Sequence, residues 1–219
     1  MTTQSILIKK KMMKEIRNCE QAIVTRSGDD NSRHVEGYAL VFDSWSKDLG
    51  GFTERISRNA LDGVLASSDV LALLNHQQER GVLARWRGEK GSMNLEIDDI
   101  GLRYEFEAPN TALGDELLEG LRRGDISQSS FAFSVGDEEW SKDEDGNYHR
   151  TINRIERLYD VSPVYNPAYD STTVNARGLD MFKEQEKRDE EEAEAKKKAQ
   201  LNAYYDELMS KIQKYEKSN

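Results

Sequence analysis

The sequence predicts an α+β protein in which short, mostly antiparallel strands dominate and a charged helix closes the chain. Three features carry this expectation. Short apolar runs alternate with Gly- and Asp-rich breaks between residues 34 and 107, helical periodicity appears clearly only around residues 111–123, and from about residue 182 the chain becomes a charge-dense run. With 219 residues, 37% hydrophobic and 33% charged, the chain is long enough for one core plus an appendage. The reading divides it into an N-terminal extension and first segment (1–32), a central domain (33–178) and a charged helical tail (179–219).

The extension is mixed and polar and ends in SGDDNS, a turn composition, at residues 27–32. HVEGYALVFD (34–43) sets Val, Tyr, Leu, Val and Phe between polar flanks and reads as a strand. Residues 57–67 read as a short helix that Ser57 caps, with Ala60, Leu61, Val64 and Leu65 at helical spacing. Residues 70–74 return to a buried strand, and residues 81–86, 92–97 and 101–107 suggest an antiparallel meander. In residues 111–123, Leu113, Leu117, Leu118 and Leu121 share a helical face; Asn110 or Thr111 caps the helix and Gly124 ends it. Residues 126–135 alternate, with Ser129, Phe131 and Phe133 on one face and Ser130, Ala132 and Ser134 on the other. In the tail, Glu192–Lys196 and Glu194–Lys198 are placed for i,i+4 pairing. Leu201, Tyr205, Leu208, Ile212 and Tyr215 then form an apolar seam too short for a coiled coil on its own, which is expected to dock on a partner or the domain.

Composition excludes several functions. A net charge of −10 argues against a general nucleic-acid binder, which needs clustered Lys and Arg for phosphates. Cys19 is the only cysteine, so neither an intramolecular disulfide nor a cysteine-built zinc site is possible, and a reducing cytoplasmic setting fits. Lys9, Lys10 and Lys11 are not followed by an apolar signal core, so export by that route is not expected. The longest aliphatic run, residues 70–74, is far too short to cross a bilayer. His34, His76 and His149 form no HExxH pattern, and no Gly-rich phosphate loop occurs, so neither metal nor nucleotide cofactor is expected.

A nucleophile and a base remain. His76 follows the buried run VLALLN, which would hold its ring at the end of a core strand. Ser130 projects from the face opposite Phe131 and Phe133. A serine hydroxyl is a weak nucleophile unless a neighbouring base takes its proton, and imidazole titrates in the right range to do so. Asp160, near the end of INRIERLYDV, is a candidate to hold the imidazole tautomer. Each residue alone is more often an ordinary polar group, and the chain order His, Ser, Asp neither supports nor excludes a triad.

Across residues 35–177 several patterns occur together and in one order. They are EGYALVFDSWS, GGFTERISRNAL, VLALLNHQQERGVLARW, GLRYEFEAPNT, GDELLEGLRRGDISQSSFAFSV and RLYDVSPVYNPAYDSTTVNAR. Together they resemble the HK97-type prohead (capsid-maturation) serine proteases of tailed phages. The resemblance implies an assemblin-like fold, a mainly antiparallel β-barrel surrounded by a few helices. It places the family's histidine on His76, its nucleophile on Ser130 and its acidic residue, often Glu in relatives, on Asp160; Gln77 stands where relatives often have Asp. It also suggests oxyanion donors within residues 162–168. The activity implied is that of a serine endopeptidase that processes the scaffold-like segment of the major capsid protein, and itself, inside the assembling procapsid in the host cytoplasm. A homodimer is a further implication. The C-terminal helix is then either a solvated tail or a targeting segment. The competing expectation is a non-enzymatic assembly or scaffolding protein of the same fold; a small-ester hydrolase is disfavoured by the missing G-x-S-x-G elbow.

Overall fold

A computed structural model describes residues 13–19, 24–25, 32–88, 90–165 and 172–216. Of the turn expected at residues 27–32, all but Ser32 lies outside the described residues. The chain divides into two compact units, Met1–Asn175 and Ala176–Asn219.

The first unit contains β1 (Glu15–Cys19), β2 (Val24–Thr25), β3 (His34–Val41), β4 (Phe52–Ile56), α1 (Val64–Ser67) and β5 (Val70–Ala72). These are followed by a 3-10 turn (Gln78–Arg80), β6 (Ala84–Trp86), β7 (Met93–Ile97), β8 (Gly101–Glu107), α2 (Ala112–Arg123), β9 (Gln128–Lys142) and β10 (Tyr148–Val164). A six-stranded sheet runs β1-β9-β10-β5-β6, with β4 also on β10, and a four-stranded sheet runs β2-β3-β8-β7. Side chains from both sheets, among them Leu40, Leu102, Tyr104 and Phe106 from one and Phe131, Phe133, Leu158 and Val161 from the other, form one core.

The expected antiparallel barrel and meander are corrected here: the described strands make two sheets and no closed barrel. Residues 52–75 travel beside β10 in its own direction. β4 pairs with its first half, β5 with its second, both in parallel, and between them Ser57 N–H donates to Ile152 O (3.0 Å) and Ile155 N–H to Ala60 O (2.8 Å). β6 joins β5 in this sheet, whereas β7 and β8 pair in the other, which splits the meander. The helix expected over 57–67 is reduced to α1. Successive turns occupy residues 57–63, and Gly63, at φ 73°, has a left-handed backbone that does not continue a helix. Ala60 and Leu61 are still buried although they precede the helix, so there the apolar pattern served burial without helix formation.

α2 follows the sequence closely. The Thr111 hydroxyl accepts from Gly114 N–H (3.3 Å), and Gly124, at φ 79°, closes the helix. The described residues of the second unit belong to α3 (Thr172–Glu216). There Lys196 pairs with Glu192 at 2.7 Å, and Leu201, Tyr205, Leu208 and Ile212 are exposed; the Tyr215 side chain lies outside the described residues.

β1, from the expected extension, is a strand of the main sheet and is fixed by a buried ionic cluster. Arg17 donates to Glu54 (2.7 and 2.9 Å) and Glu15 (2.7 Å), while Arg150 donates to Glu15 (2.8 and 3.0 Å), Glu54 (2.7 Å) and Glu138 (2.8 Å). Burial pushes the Glu15 carboxyl up, but the bonds and charges of Arg150 and Arg17 outweigh it and hold the group below the usual carboxylate range. Removing one cation should strand buried carboxylates. Arg150→Met is therefore expected to cost about 3–5 kcal/mol in urea unfolding; a loss below about 1 kcal/mol would show that the cluster contributes little.

Candidate active site

The site is built on the β9–β10 ladder. Residues directly opposite each other in an antiparallel pair point to the same face. Leu158 faces Phe133 and both lie in the core, but two residues later Asp160 faces Ala132, on the other side of the sheet. The step of two on β10 against one on β9 is a bulge at Tyr159, which turns the strand over. From there Val161 meets Phe131 in the core, and Ser162 meets Ser130 on the opposite face. Asp160, Ser162 and Ser130 thus share one face of the sheet.

β5 delivers the histidine. It runs parallel to β10, with Leu71 opposite Asp160, and the pairing continues as Leu73 N–H to Val161 O (3.2 Å) and Asn75 N–H to Pro163 O (2.9 Å). Asn75 and His76 then adopt positive φ, 54° and 60°. Two consecutive non-glycine residues in the left-handed region are a strained arrangement that persists only where the surroundings enforce it. Here it brings the imidazole onto the face that carries Ser130 and Asp160.

His76 Nδ1 lies 2.5 Å from Asp160 Oδ1 and Nε2 lies 2.7 Å from Ser130 Oγ. An ionised carboxylate only accepts, so the network assigns the ring proton to Nδ1 and leaves the Nε2 lone pair directed at the hydroxyl. Ser130 Oγ also donates to the Arg17 carbonyl (2.9 Å), whose strand sets Asn18 opposite Ser130. One hydroxyl proton therefore faces two acceptors. Ser130 is 0% exposed and the His76 side chain 12%, so the hydroxyl is closed to solvent in this conformation.

Asp160 is satisfied at both oxygens. Oδ1 accepts from His76 and from Ser162 Oγ (2.8 Å), and Oδ2 accepts from Lys14 Nζ (2.9 Å). Burial pushes its carboxyl up, yet the hydrogen bond and charge of His76, with those of Lys14, hold it below the usual range. It is an anion fixed beside the imidazole.

The structure brings His76, Ser130 and Asp160 into one chain of hydrogen bonds. Ser129, the competing serine, is on the core side and shares a hydrogen bond of 2.8 Å with Tyr104 Oη. Of the segment expected to supply oxyanion donors, residues 162–164 belong to β10, Pro163 has no N–H, and residues 166–168 lie outside the described residues. Sequence reasoning did not find Lys14 or the Arg17 carbonyl, and it named Ser162 only as the start of the suggested oxyanion segment, not as a partner of Asp160. Ser162 was within reach, because residues two apart on a strand share a face. Lys14 gave no signal. Among the described residues, one cluster has metal-ligand character: the donor atoms of His34, Glu36 and Glu105 lie within 4.8 Å of one another. The Arg103 guanidinium already binds both carboxylates, at 2.5 and 2.7 Å, and supplies the positive charge that an ion would bring.

Comparison with known proteins identifies the family. The model of the caudovirus prohead serine protease family matches residues 21–187, and the chain belongs to that family. The solved structure of the bacteriophage T4 capsid assembly protease, gp21, is similar at 13% identity and a TM-score of 0.48, over 70% of this chain and 98% of that one. No curated protein matches.

The bond between His76 and Asp160 has a spectroscopic consequence. A downfield His76 Nδ1 proton resonance is expected in the wild type and absent from Asp160→Ala. Because the Asp160 carboxyl is held low, its contribution to stability is present above the ordinary carboxylate range and lost only as pH falls through the depressed value. The resonance should therefore survive acidification through about pH 4. Its loss above that pH would contradict the ionised pair.

Proposed function

We propose that this prohead serine protease is an endopeptidase that cleaves the scaffold-like segment of the major capsid protein, and itself, during procapsid maturation. Ser130 is the nucleophile, His76 the general base and Asp160 the residue that orients and charge-stabilises the imidazole. The observation that carries the reading is the Ser130 Oγ to His76 Nε2 contact of 2.7 Å with Nδ1 anchored on a buried anion.

As Oγ bonds to the scissile carbonyl carbon, its proton passes to Nε2. The imidazolium then protonates the leaving amine as the C–N bond breaks, which leaves an acyl group on Ser130. Water attacks that ester, gives its proton to His76 and releases the acid, and the returning proton restores Ser130. The Asp160 carboxylate stabilises the imidazolium in both halves without becoming protonated itself. A substrate carbonyl must displace whatever covers Ser130, so the described conformation is a resting one. Nothing in the reading requires a metal or a cofactor.

The setting follows the family: the enzyme works inside the procapsid in the host cytoplasm, with capsid protein as its partner and a homodimer as its assembled form. Among the described residues no helix is long and apolar enough to cross a membrane. The protease domain is assigned to residues 33–178 with β1 added from the extension. The remaining helix, with its exposed Leu201, Tyr205, Leu208 and Ile212, is the targeting segment. The alternative is a non-enzymatic assembly protein of the same fold, and the closed Ser130 is the observation in its favour.

Co-expression with the major capsid protein of the same phage, followed by intact-mass measurement, separates the two. The wild type should shorten both chains, Ser130→Ala neither, and Asp160→Asn should lower kcat by about 10⁴. If neither form cuts while procapsids assemble, the non-enzymatic reading holds; if both cut, another residue is the nucleophile. Truncation after Arg177 should leave the thermal melt of the first unit in place and abolish packaging into procapsids. A truncated chain that is still packaged would disprove the targeting role.

A further inference from the structure

We propose that Lys14, immediately before β1, is a positioning residue of the site, acting on His76 through Asp160; this rests on the triad reading above. Asp160 offers two oxygens to its surroundings. Oδ1 serves His76 and Ser162, and among the described residues Oδ2 has one partner, Lys14 Nζ at 2.9 Å. The Asp160 side chain is 2% exposed, whereas Lys14 is 46% exposed, so a solvated cation reaches an otherwise sealed anion. The Lys14 ammonium also lies 5.6 Å from the centroid of the Tyr159 ring, the residue of the β10 bulge. Arg157 lies over the same ring at 5.0 Å.

The groups facing Asp160 can be named element by element. The entry to β1 supplies Lys14, the exit of β5 supplies His76 and β10 supplies Ser162, each bonded to the carboxylate; Ser130 on β9 lies beyond His76 and itself donates to the Arg17 carbonyl, and Arg157 lies over the Tyr159 ring. Lys14 is the cation that touches the carboxylate. Two effects follow from its place. It fixes the carboxylate plane by binding the oxygen that His76 does not use. It also offsets part of the negative charge that would otherwise favour the protonated imidazolium, the form that cannot accept the Ser130 proton. The entry to β1 is thereby coupled to the reactivity of a serine on the adjacent strand, and the same strand offers its Arg17 carbonyl to that serine.

The test is the rate at which a serine-directed phosphonate labels Ser130 in the full chain, measured from about pH 5 to 9, for the wild type, Lys14→Met, Lys14→Arg and Ser130→Ala. With the ammonium removed, the Asp160 charge acts on the imidazole without a counter-charge. The acid limb for Lys14→Met should accordingly move up by at least about half a pH unit, and Lys14→Arg should restore the wild-type profile. Because Lys14 is half exposed, a thermal melt of Lys14→Met coincident with the wild type shows that the fold is intact. An unchanged midpoint overturns the proposal even if the rate falls uniformly, since loss of packing would do that. Failure of the wild type to label, or labelling that persists in Ser130→Ala, removes the triad reading and this proposal with it. Labelling confined to Ser130 with superimposable Lys14→Met and wild-type profiles removes only the role of Lys14.

Discussion

Between Leu158 and Asp160, β10 gains one residue on its partner, and the acidic group of the site depends on that gain. Without the bulge at Tyr159, Asp160 would share the face of Leu158 and point its carboxylate into the core beside Phe131 and Phe133. An ion in such a place would be neutralised or would unfold the sheet. With the bulge, the same residue lands two places from Ser162 and one strand from Ser130, where hydrogen-bond donors are available. The parallel course of residues 70–75 along β10 then fixes the imidazole position, because Asn75 is tied to the Pro163 carbonyl directly before the chain turns at His76.

Two ionic systems meet at β1 and the residue before it, and they differ in character. Glu15 and Arg17 belong to a cluster with Glu54, Arg150 and Glu138 in which every carboxylate has an arginine partner, an arrangement that fixes where β1 sits. Such clusters contribute less through net attraction than through the cost of any register that would leave one member unpaired. Asp160 is instead compensated by a neutral hydroxyl, an imidazole and one solvated ammonium. That looser balance leaves the anion able to respond when the imidazole gains a proton, and the tight cluster holds the strand whose backbone touches Ser130.

Much of this was legible in the sequence, and the parts that were not share a cause. Regular alternation in residues 126–135 separated Ser130 from Ser129 and placed Phe131 and Phe133 in the core, because β9 is regular there. The cap at Thr111 and the stop at Gly124 were visible because capping is local chemistry. In β10, however, the buried Ile152, Ile155, Leu158 and Val161 are three apart, a spacing that a regular strand does not give. Register shifts reconcile it with a strand, and nothing in the residue types announces them. The face of Asp160 was therefore not readable. The division into two sheets was hidden for a related reason: β6 and β7 are neighbours in sequence and each pairs with a nearby strand, but those strands, β5 and β8, join different sheets through the distant β10 and β3. Lys14 meets Asp160 across 146 positions, which no local pattern records.

The central claim is that Ser130, through His76, is the reactive serine of this chain. Peptide mapping after treatment with a serine-directed phosphonate, in the wild type and in His76→Ala, tests it most directly. The account requires label on the peptide carrying Ser129 and Ser130, with fragment ions assigning it to Ser130, and loss of that label in His76→Ala. Label on Ser129 or on a serine elsewhere, or equal labelling without His76, would contradict it.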